Sequence, residues 1–374
     1  MKRVASVDIF RALTMLLMLW VNDYAWMDGI PHWMLHAPTH EDMLGLADLA
    51  FPSFLFCMGM SIPLAVESRL KKGEGFLKTA LHVLLRTFAL LLMGVFDQNV
   101  PSEWSTVYTL IAVCAFFLVW NKYPERGKDD SRRFIAPVHR AVGIAALIGL
   151  AVSVWPMKTG WWGILGLIGW AYLFSSILYL AFRKFRKALP LVWLAVLSMV
   201  ILSQTELHIF AGLPGGWVHT GLAFSGLMCT CLTRRVTEAG KPKSFPLWAL
   251  AGAVLMFAGF LLCHPHWIIS KNIGTPTWMF LCLAIDMVLM AVLYFVADYN
   301  GKVKWARPIK AAGVATLTCY SLPYIWYSVR SLLGVYLPAS FTTGVAGLAK
   351  AMVFSFVIIW IAELLGKINV RLKI

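Results

Sequence analysis

Basic residues gather in every second gap between long apolar stretches, and that pattern restricts the fold of this chain more than any other feature. The apolar stretches lie near 9–21, 48–66, 80–96, 104–120, 140–155, 161–181, 189–203, 217–232, 246–263, 277–297, 311–329 and 343–365. Most approach the length a helix needs to cross roughly 30 Å of hydrocarbon. With the first residues in the cytoplasm, the inward gaps hold Lys2, Arg3 and Arg11, then Arg69, Lys71, Lys72, Lys78 and Arg86, then Lys122, Arg126, Lys128, Arg132, Arg133 and Arg140. The later inward gaps hold Arg183 to Lys187, Arg234 to Lys243, Lys302 to Lys310, and Lys367, Arg371 and Lys373. Of 33 basic residues only Lys158, Lys271 and Arg330 fall outward, and Lys350 falls within a stretch. This bias follows the positive-inside rule and predicts both termini in the cytoplasm. The expectation is an all-α polytopic transmembrane bundle of about twelve spans, with ten or eleven left open because several stretches are short.

Composition agrees. A chain that is 60% hydrophobic and 14% charged cannot cover a water-facing surface, since soluble domains carry roughly a quarter charged residues. The length of 374 residues suits one membrane domain, 1–374, with short loops. The formal charge of +15 is a topology signal rather than a nucleic-acid footprint; its expected partners are anionic membrane lipid and a cytosolic anionic ligand. The first span follows Met1-Lys2-Arg3 but lacks a small-residue cleavage site, so it is expected to be retained. The seven cysteines lie almost entirely inside spans without a CxxC pair, which points to buried apolar residues rather than disulfides or zinc.

One outward loop, 22–48, has the wrong chemistry for a linker. It contains Asn22, Asp23, His32, His36, His40, Glu41, Asp42 and Asp48 and no lysine or arginine. Histidine is the side chain best suited to exchange protons near neutral pH. An interfacial loop with solvated histidines and Trp26 and Trp33 in the aromatic belt is the plain alternative. His32, His36 and His40 are spaced four apart, as metal ligands on one helical face would be. Pro31 and Pro38 oppose a continuous helix there, so no metal is expected. A second outward cluster, His264-Pro265-His266-Trp267 followed by Ser270-Lys271-Asn272 and Thr277-Trp278, could complete a pocket with the first loop. Asp8 and Arg11 share a helical face and can pair. Asp286 falls mid-span, where an ionisable group is costly and needs a partner or a function. Lys350 is similarly placed, unless it snorkels to the interface.

The order Arg3-Val-Ala-Ser6-Val-Asp8-Ile-Phe10-Arg11-Ala12-Leu-Thr14, running on to Met18 and Val21-Asn22, resembles the opening of the heparan-α-glucosaminide N-acetyltransferase family, which takes in bacterial DUF5009 and YeiB-related membrane proteins. The resemblance continues through His36-Ala37 and Ala47-Asp48-Leu49-Ala50-Phe51-Pro52 to Gly59-Met-Ser61-Ile62, and resumes weakly at Ser270-Lys271-Asn272 and Thr275-Pro276-Thr277-Trp278. Residues 1–66 thus carry the motifs. Two departures stand out. Ala12 replaces the usual Gly, and the stretch from His36 to Asp48 is about two residues longer than in human-like members.

The resemblance implies transfer of an acetyl group from cytosolic acetyl-CoA to a glycan or aminosugar across the inner (cytoplasmic) membrane of a bacterium. Carried over, His36 is the catalytic base or acetyl carrier, with Asn22 beside it and Asp48 fixing the imidazole. His40 and His32 are rivals for the same place. Asp23, His264, His266, Lys271, Asn272 and Trp278 are the expected substrate contacts. Asp8, Arg11, Arg69, Lys71, Lys72 and Arg86 are the expected contacts to the CoA end. A transporter or flippase with a midplane site at Asp286 is the alternative function. A homodimer stays open.

Overall fold

The computed structural model describes residues 4–124, 134–160, 162–205 and 212–374. Lys2, Arg3 of the opening motif, and Arg126, Lys128, Arg132 and Arg133 lie outside the described residues. The described residues form a helical membrane bundle without β-strands: α1 (Ala5–Tyr24), α2 (Ala47–Lys71), α3 (Phe76–Gln98), α4 (Ser105–Trp120), α5 (Ile135–Ser153), α6 (Gly163–Phe182) and α7 (Leu189–Ser203), then α8 (Gly216–Glu238), α9 (Phe245–Cys263), α10 (Pro276–Leu293), α11 (Lys310–Val314), α12 (Thr316–Leu332) and α13 (Gly344–Lys367). Every apolar stretch becomes helix. Among the described residues, eight helices are long and apolar enough to cross a membrane (α1, α2, α3, α5, α6, α9, α10 and α13), and α4 and α7 are shorter apolar helices.

The departure at α8 has a packing reason. Its face toward α2, α6 and α7 buries Thr220, Ser225, Thr230 and Thr233, so it needs no continuous lipid-facing surface. By contrast α5 and α9 expose Val138, Val142, Ile148, Leu247, Val254 and Leu262, as helices at a lipid boundary do.

The predicted run 311–329 is not one helix. It breaks at Ala315 between α11 and α12. The Arg11 guanidinium donates to the Gly313 carbonyl at 3.0 Å, an oxygen that an unbroken helix would offer to the N–H four residues on. Gly313 also lies so near the Asp8 carbonyl that a Cβ would sit 2.6 Å from that oxygen.

Inside the bundle α2 and α8 approach closely through small residues, the usual route to tight packing where lipid removes the hydrophobic drive between helices. A Cβ on Gly59 would lie 1.7 Å from the Ala223 carbonyl oxygen, and one on Gly226 would lie 1.9 Å from that of Phe56. Thr230 Oγ1 then donates across the seam to the Met60 carbonyl at 2.8 Å.

The bundle has two chemically different ends. At one, the Asp298 carboxylate accepts the Ala5 and Ser6 N–H groups at 2.8 and 2.9 Å, capping the start of α1 from another helix. There the segment after α13 pairs with the chain leaving α4: Lys122 N–H donates to the Arg371 carbonyl at 3.1 Å and Lys373 N–H to that of Trp120 at 3.0 Å. Asn121 Oδ1 accepts the Arg371 N–H at 2.7 Å and Thr318 Oγ1 the Leu372 N–H at 3.0 Å. At the other end lie the α1–α2 and α9–α10 loops. All seven cysteines are free.

Gly59→Leu is expected to lower the thermal unfolding midpoint of the detergent-solubilised protein sharply, at a cost of about 2 kcal/mol or more, because the clash is with backbone. Gly149→Ala, where nothing lies within 4 Å of the added Cβ, should leave the midpoint unchanged or raise it. Equal midpoints for Gly59→Leu and the parent would contradict the close α2–α8 seam.

Candidate active site

The second loop is written locally in its sequence. Gly274 takes φ +72°, Thr275 caps α10 by accepting the Trp278 N–H on its hydroxyl, and Pro276 occupies the first helical turn. Thr275 Oγ1 also accepts the Ser270 N–H at 3.1 Å, which closes the turn that presents Lys271 and Asn272.

The first loop folds back on itself. His32–Met34 make one 3-10 turn after Pro31, Met34 is buried, and Tyr24 donates its hydroxyl to the Met34 carbonyl at 2.8 Å. Leu46 N–H donates to the Trp33 carbonyl at 2.8 Å. Gly45 permits the return: a Cβ there would meet the Leu35 carbonyl oxygen at 1.9 Å.

The result brings His36 over the first turn of α2. Its Nδ1 lies 2.7 Å from Asp48 Oδ1, and Asp48 Oδ2 accepts the Ala37 N–H at 2.9 Å. The Asp48 side chain is 3% exposed and that of His36 is 41% exposed. Lys271 reaches in from the second loop, its Nζ 3.5 Å from Asp48 Oδ1 and 3.1 Å from His36 Nδ1. A carboxylate facing an ammonium and a backbone N–H stays ionised and only accepts. His36 Nδ1 therefore carries its proton toward Asp48, Lys271 directs its charge at the same carboxylate, and Nε2 is the ring nitrogen that Asp48 does not engage. Burial pushes the Lys271 ammonium below its ordinary value, and the Asp48 carboxylate opposes that shift.

A clasp joins the two loops. Asp42 accepts the Ile269 N–H at 2.8 Å and faces His264 Nε2 at 2.8 Å. Ser270 Oγ donates to the Thr39 carbonyl at 2.9 Å, and Asn272 Nδ2 to Thr39 Oγ1 at 3.0 Å. The Ile269 N–H, with His264 beside it, holds the Asp42 carboxyl below the usual range against the opposing effect of burial.

The other expected residues divide. His32 faces Glu41 at 3.5 Å with both side chains largely exposed; His40 is exposed, and His266 is exposed beside the Trp267 ring. Asn22 is exposed at the end of α1. Asp23, next to it, turns inward to Lys350 Nζ at 2.7 Å and accepts the Tyr327 hydroxyl at 2.8 Å, so Lys350 is paired rather than snorkelling. Trp278 is completely buried in the core beneath the second loop. Asp286, also fully buried, accepts the Ser53 hydroxyl at 2.5 Å. Among the described residues no group of three His, Cys, Asp or Glu is arranged to hold a metal ion.

At the opposite end a cavity of about 300 Å³ opens among α1, α2, α3, α6 and α12. Arg11 and Arg86 line it, and Met15, Met18, Phe54 and Leu90 form apolar wall. Arg11 pairs with Asp8 at 3.5 Å and donates to Ser61 Oγ at 2.5 Å. Arg69 instead pairs with Glu74 at 2.7 Å, and Lys71 and Lys72 are exposed at the end of α2, outside the cavity wall. Arg371 and Lys373 also line the cavity. Sequence reasoning assigned them only to topology, because a segment following the last helix gives no sign of folding back under the bundle.

Residues 3–218 match the family model described as Domain of unknown function (DUF5009), more than half of the chain. The chain belongs to the DUF5009 family. It is also similar to heparan-alpha-glucosaminide N-acetyltransferase of Mus musculus, 34% identical over 151 residues that cover 35% of this chain and 22% of that protein. The Homo sapiens protein of the same name is 34% identical over 111 residues, 28% of this chain and 16% of its own length. The similarity thus spans about a fifth of these curated relatives.

Asp42→Ala is expected to speed hydrogen exchange at the Ile269 amide at neutral pH. In the parent, the depressed Asp42 carboxyl contributes its clasp above the ordinary carboxylate range, and loses it as pH falls below about 4. Exchange corrected for its intrinsic rate should rise in that window. Equal protection in both proteins would show that the clasp does not hold the loops.

Proposed function

We propose that this protein is a transmembrane acetyltransferase that takes its acetyl group from acetyl-CoA at the basic, cytoplasmic end and delivers it to a glycan or aminosugar at the loop end. The observation that carries this is the His36–Asp48 pair, a part-exposed imidazole held by a buried carboxylate at 2.7 Å. The activity for which the mammalian relatives are named supports the same chemistry, and the charge bias supports the sidedness, with both termini on the cytoplasmic side of a bacterial inner membrane.

In the base route, His36 Nε2 takes the proton of the acceptor amine or hydroxyl as that group attacks the thioester carbonyl. The tetrahedral oxyanion needs a donor, and Asn22 is the proposed one. Collapse breaks the C–S bond, and the departing thiolate takes the proton back from His36. In the carrier route, Nε2 itself attacks the thioester, expels the thiolate and passes the acetyl group on. Both routes require the proton on Nδ1 to be held by Asp48, which stabilises the positive imidazole that forms in either case. Lys271 balances Asp48 and, with Asn272, His264 and His266, frames the acceptor side.

The cavity supports the donor side. Its wall runs from basic side chains to Phe54 on α2, six residues and so about 9 Å of helix rise from Asp48. That shape suits an anionic nucleotide at the mouth with a neutral arm pointing toward His36.

Purified protein given labelled acetyl-CoA and a sugar panel should transfer label. His36→Ala should slow transfer roughly 10²–10⁴-fold, and Asp48→Asn should lower kcat about 10²-fold or more with little change in KM. Full activity in His36→Ala, with loss in His40→Ala or His32→Ala, would move the role to a rival histidine. Solute flux in liposomes without any transfer would replace the enzyme by a transporter.

A further inference from the structure

The cavity at the basic end has a lopsided charge. Four basic side chains line it (Arg11, Arg86, Arg371 and Lys373) and no acidic one does. Arg11 is partnered by Asp8. Among the described residues, Arg86, Arg371 and Lys373 form no ion pair with a carboxylate. Arg86 instead stacks its guanidinium over the Tyr172 ring at 4.7 Å, with its Nε buried and without a hydrogen-bond partner. Cations held side by side repel one another, and a bound anion relieves that repulsion. Lys373 follows this: burial lowers its ammonium from the ordinary value, and neighbouring Lys122, Arg371, Arg69 and Lys72 lower it further.

Backbone geometry makes this arrangement a built one. The segment carrying Arg371 and Lys373 is tied to Trp120, Asn121 and Lys122 by main-chain and Asn121 side-chain hydrogen bonds, and Leu372 between them is buried and held by Thr318. Alternation along an extended segment sends Leu372 one way and its two neighbours the other. The two basic side chains are therefore displayed at the cavity rather than left on a loose end.

We propose that Arg371 and Lys373 form, with Arg86, the phosphate-binding subsite of this cavity, taking the phosphate groups of the nucleotide thioester donor. This rests on the donor assignment made above. Guanidinium groups bind phosphate oxygens through paired N–H donors, and a lysine adds a point charge. The apolar remainder of the cavity, toward Met15, Met18 and Phe54, is left for the uncharged arm of the donor. The same cations also suit the phosphate of an anionic lipid headgroup, so the two sources must be separated by the experiment.

The test is equilibrium binding of CoA, dephospho-CoA and pantetheine to the full chain in phosphatidylcholine nanodiscs, for the parent, Arg371→Gln/Lys373→Gln and Arg371→Lys/Lys373→Arg. The parent should bind CoA more tightly than dephospho-CoA, with affinity falling steeply as salt rises. The Gln pair should lose CoA affinity at least tenfold and leave pantetheine binding unchanged, and the charge-preserving pair should keep most of it. Retained pantetheine binding also shows that the Gln pair is folded. Equal CoA affinity in the Gln pair and the parent would overturn the subsite while leaving the donor assignment intact. No CoA binding by the parent would overturn both. Loss of CoA binding on replacing phosphatidylcholine by phosphatidylglycerol, in the parent but not in the Gln pair, would assign the subsite to lipid headgroups instead.

Discussion

Asp48 sits in the first turn of α2 with almost none of its side chain in contact with solvent, and three groups from two separate loops converge on its two oxygens. His36 and the Ala37 N–H come from the returning α1–α2 loop, and Lys271 comes from the α9–α10 loop. A buried carboxylate is expensive unless its lone pairs are filled. The cost is met here only when both loops are folded down together, which makes the arrangement of loops and the orientation of the imidazole one event. Gly45 is the steric condition for it, since any side chain there would strike the Leu35 carbonyl. The Asp42 clasp and the Thr39 contacts then secure the same closure from the rim.

The rest of the bundle follows the same rule for polar groups at membrane depth. Asp23 takes Lys350 and Tyr327, tying α1 to α12 and α13. Asp286 takes Ser53, tying α10 to α2. Arg11 takes Asp8, Ser61 and the Gly313 carbonyl, beside the break between α11 and α12. Each of these fixes one helix against another, so α1 and α2 connect the basic cavity to the histidine loop. At the basic end, Arg86, Arg371 and Lys373 are the exception: among the described residues they form no ion pair with a carboxylate.

Sequence patterning reached much of this because the bilayer enforces it. Span length and the placement of basic residues report directly on what can and cannot enter hydrocarbon, so among the described residues the apolar stretches lie on helices, with 311–329 divided between α11 and α12. The Asp8–Arg11 pair was legible from helical spacing alone. Other features were not local in sequence. Lys350 and Asp23 are 327 positions apart, so nothing in either neighbourhood announced their pairing. The break at Ala315 lies where Arg11 from another helix bonds the Gly313 carbonyl, and the segment of Arg371 and Lys373 pairs with a distant segment at Asn121. Among His32, His36 and His40, the family resemblance favoured His36, but spacing alone did not separate the three. Only His36 of the three faces a buried carboxylate, and that is a fact of loop closure, not of spacing.

The central claim is that an acetyl group crosses the bundle from the basic end to His36. The most direct measurement uses proteoliposomes of one orientation, with labelled acetyl-CoA confined to the compartment facing the basic end and the sugar acceptor confined to the other. Labelled acetyl-sugar should accumulate only in the acceptor compartment, while free CoA accumulates with the donor, and neither should form with His36→Ala. Product appearing only when donor and acceptor share one compartment would contradict transfer through the bundle.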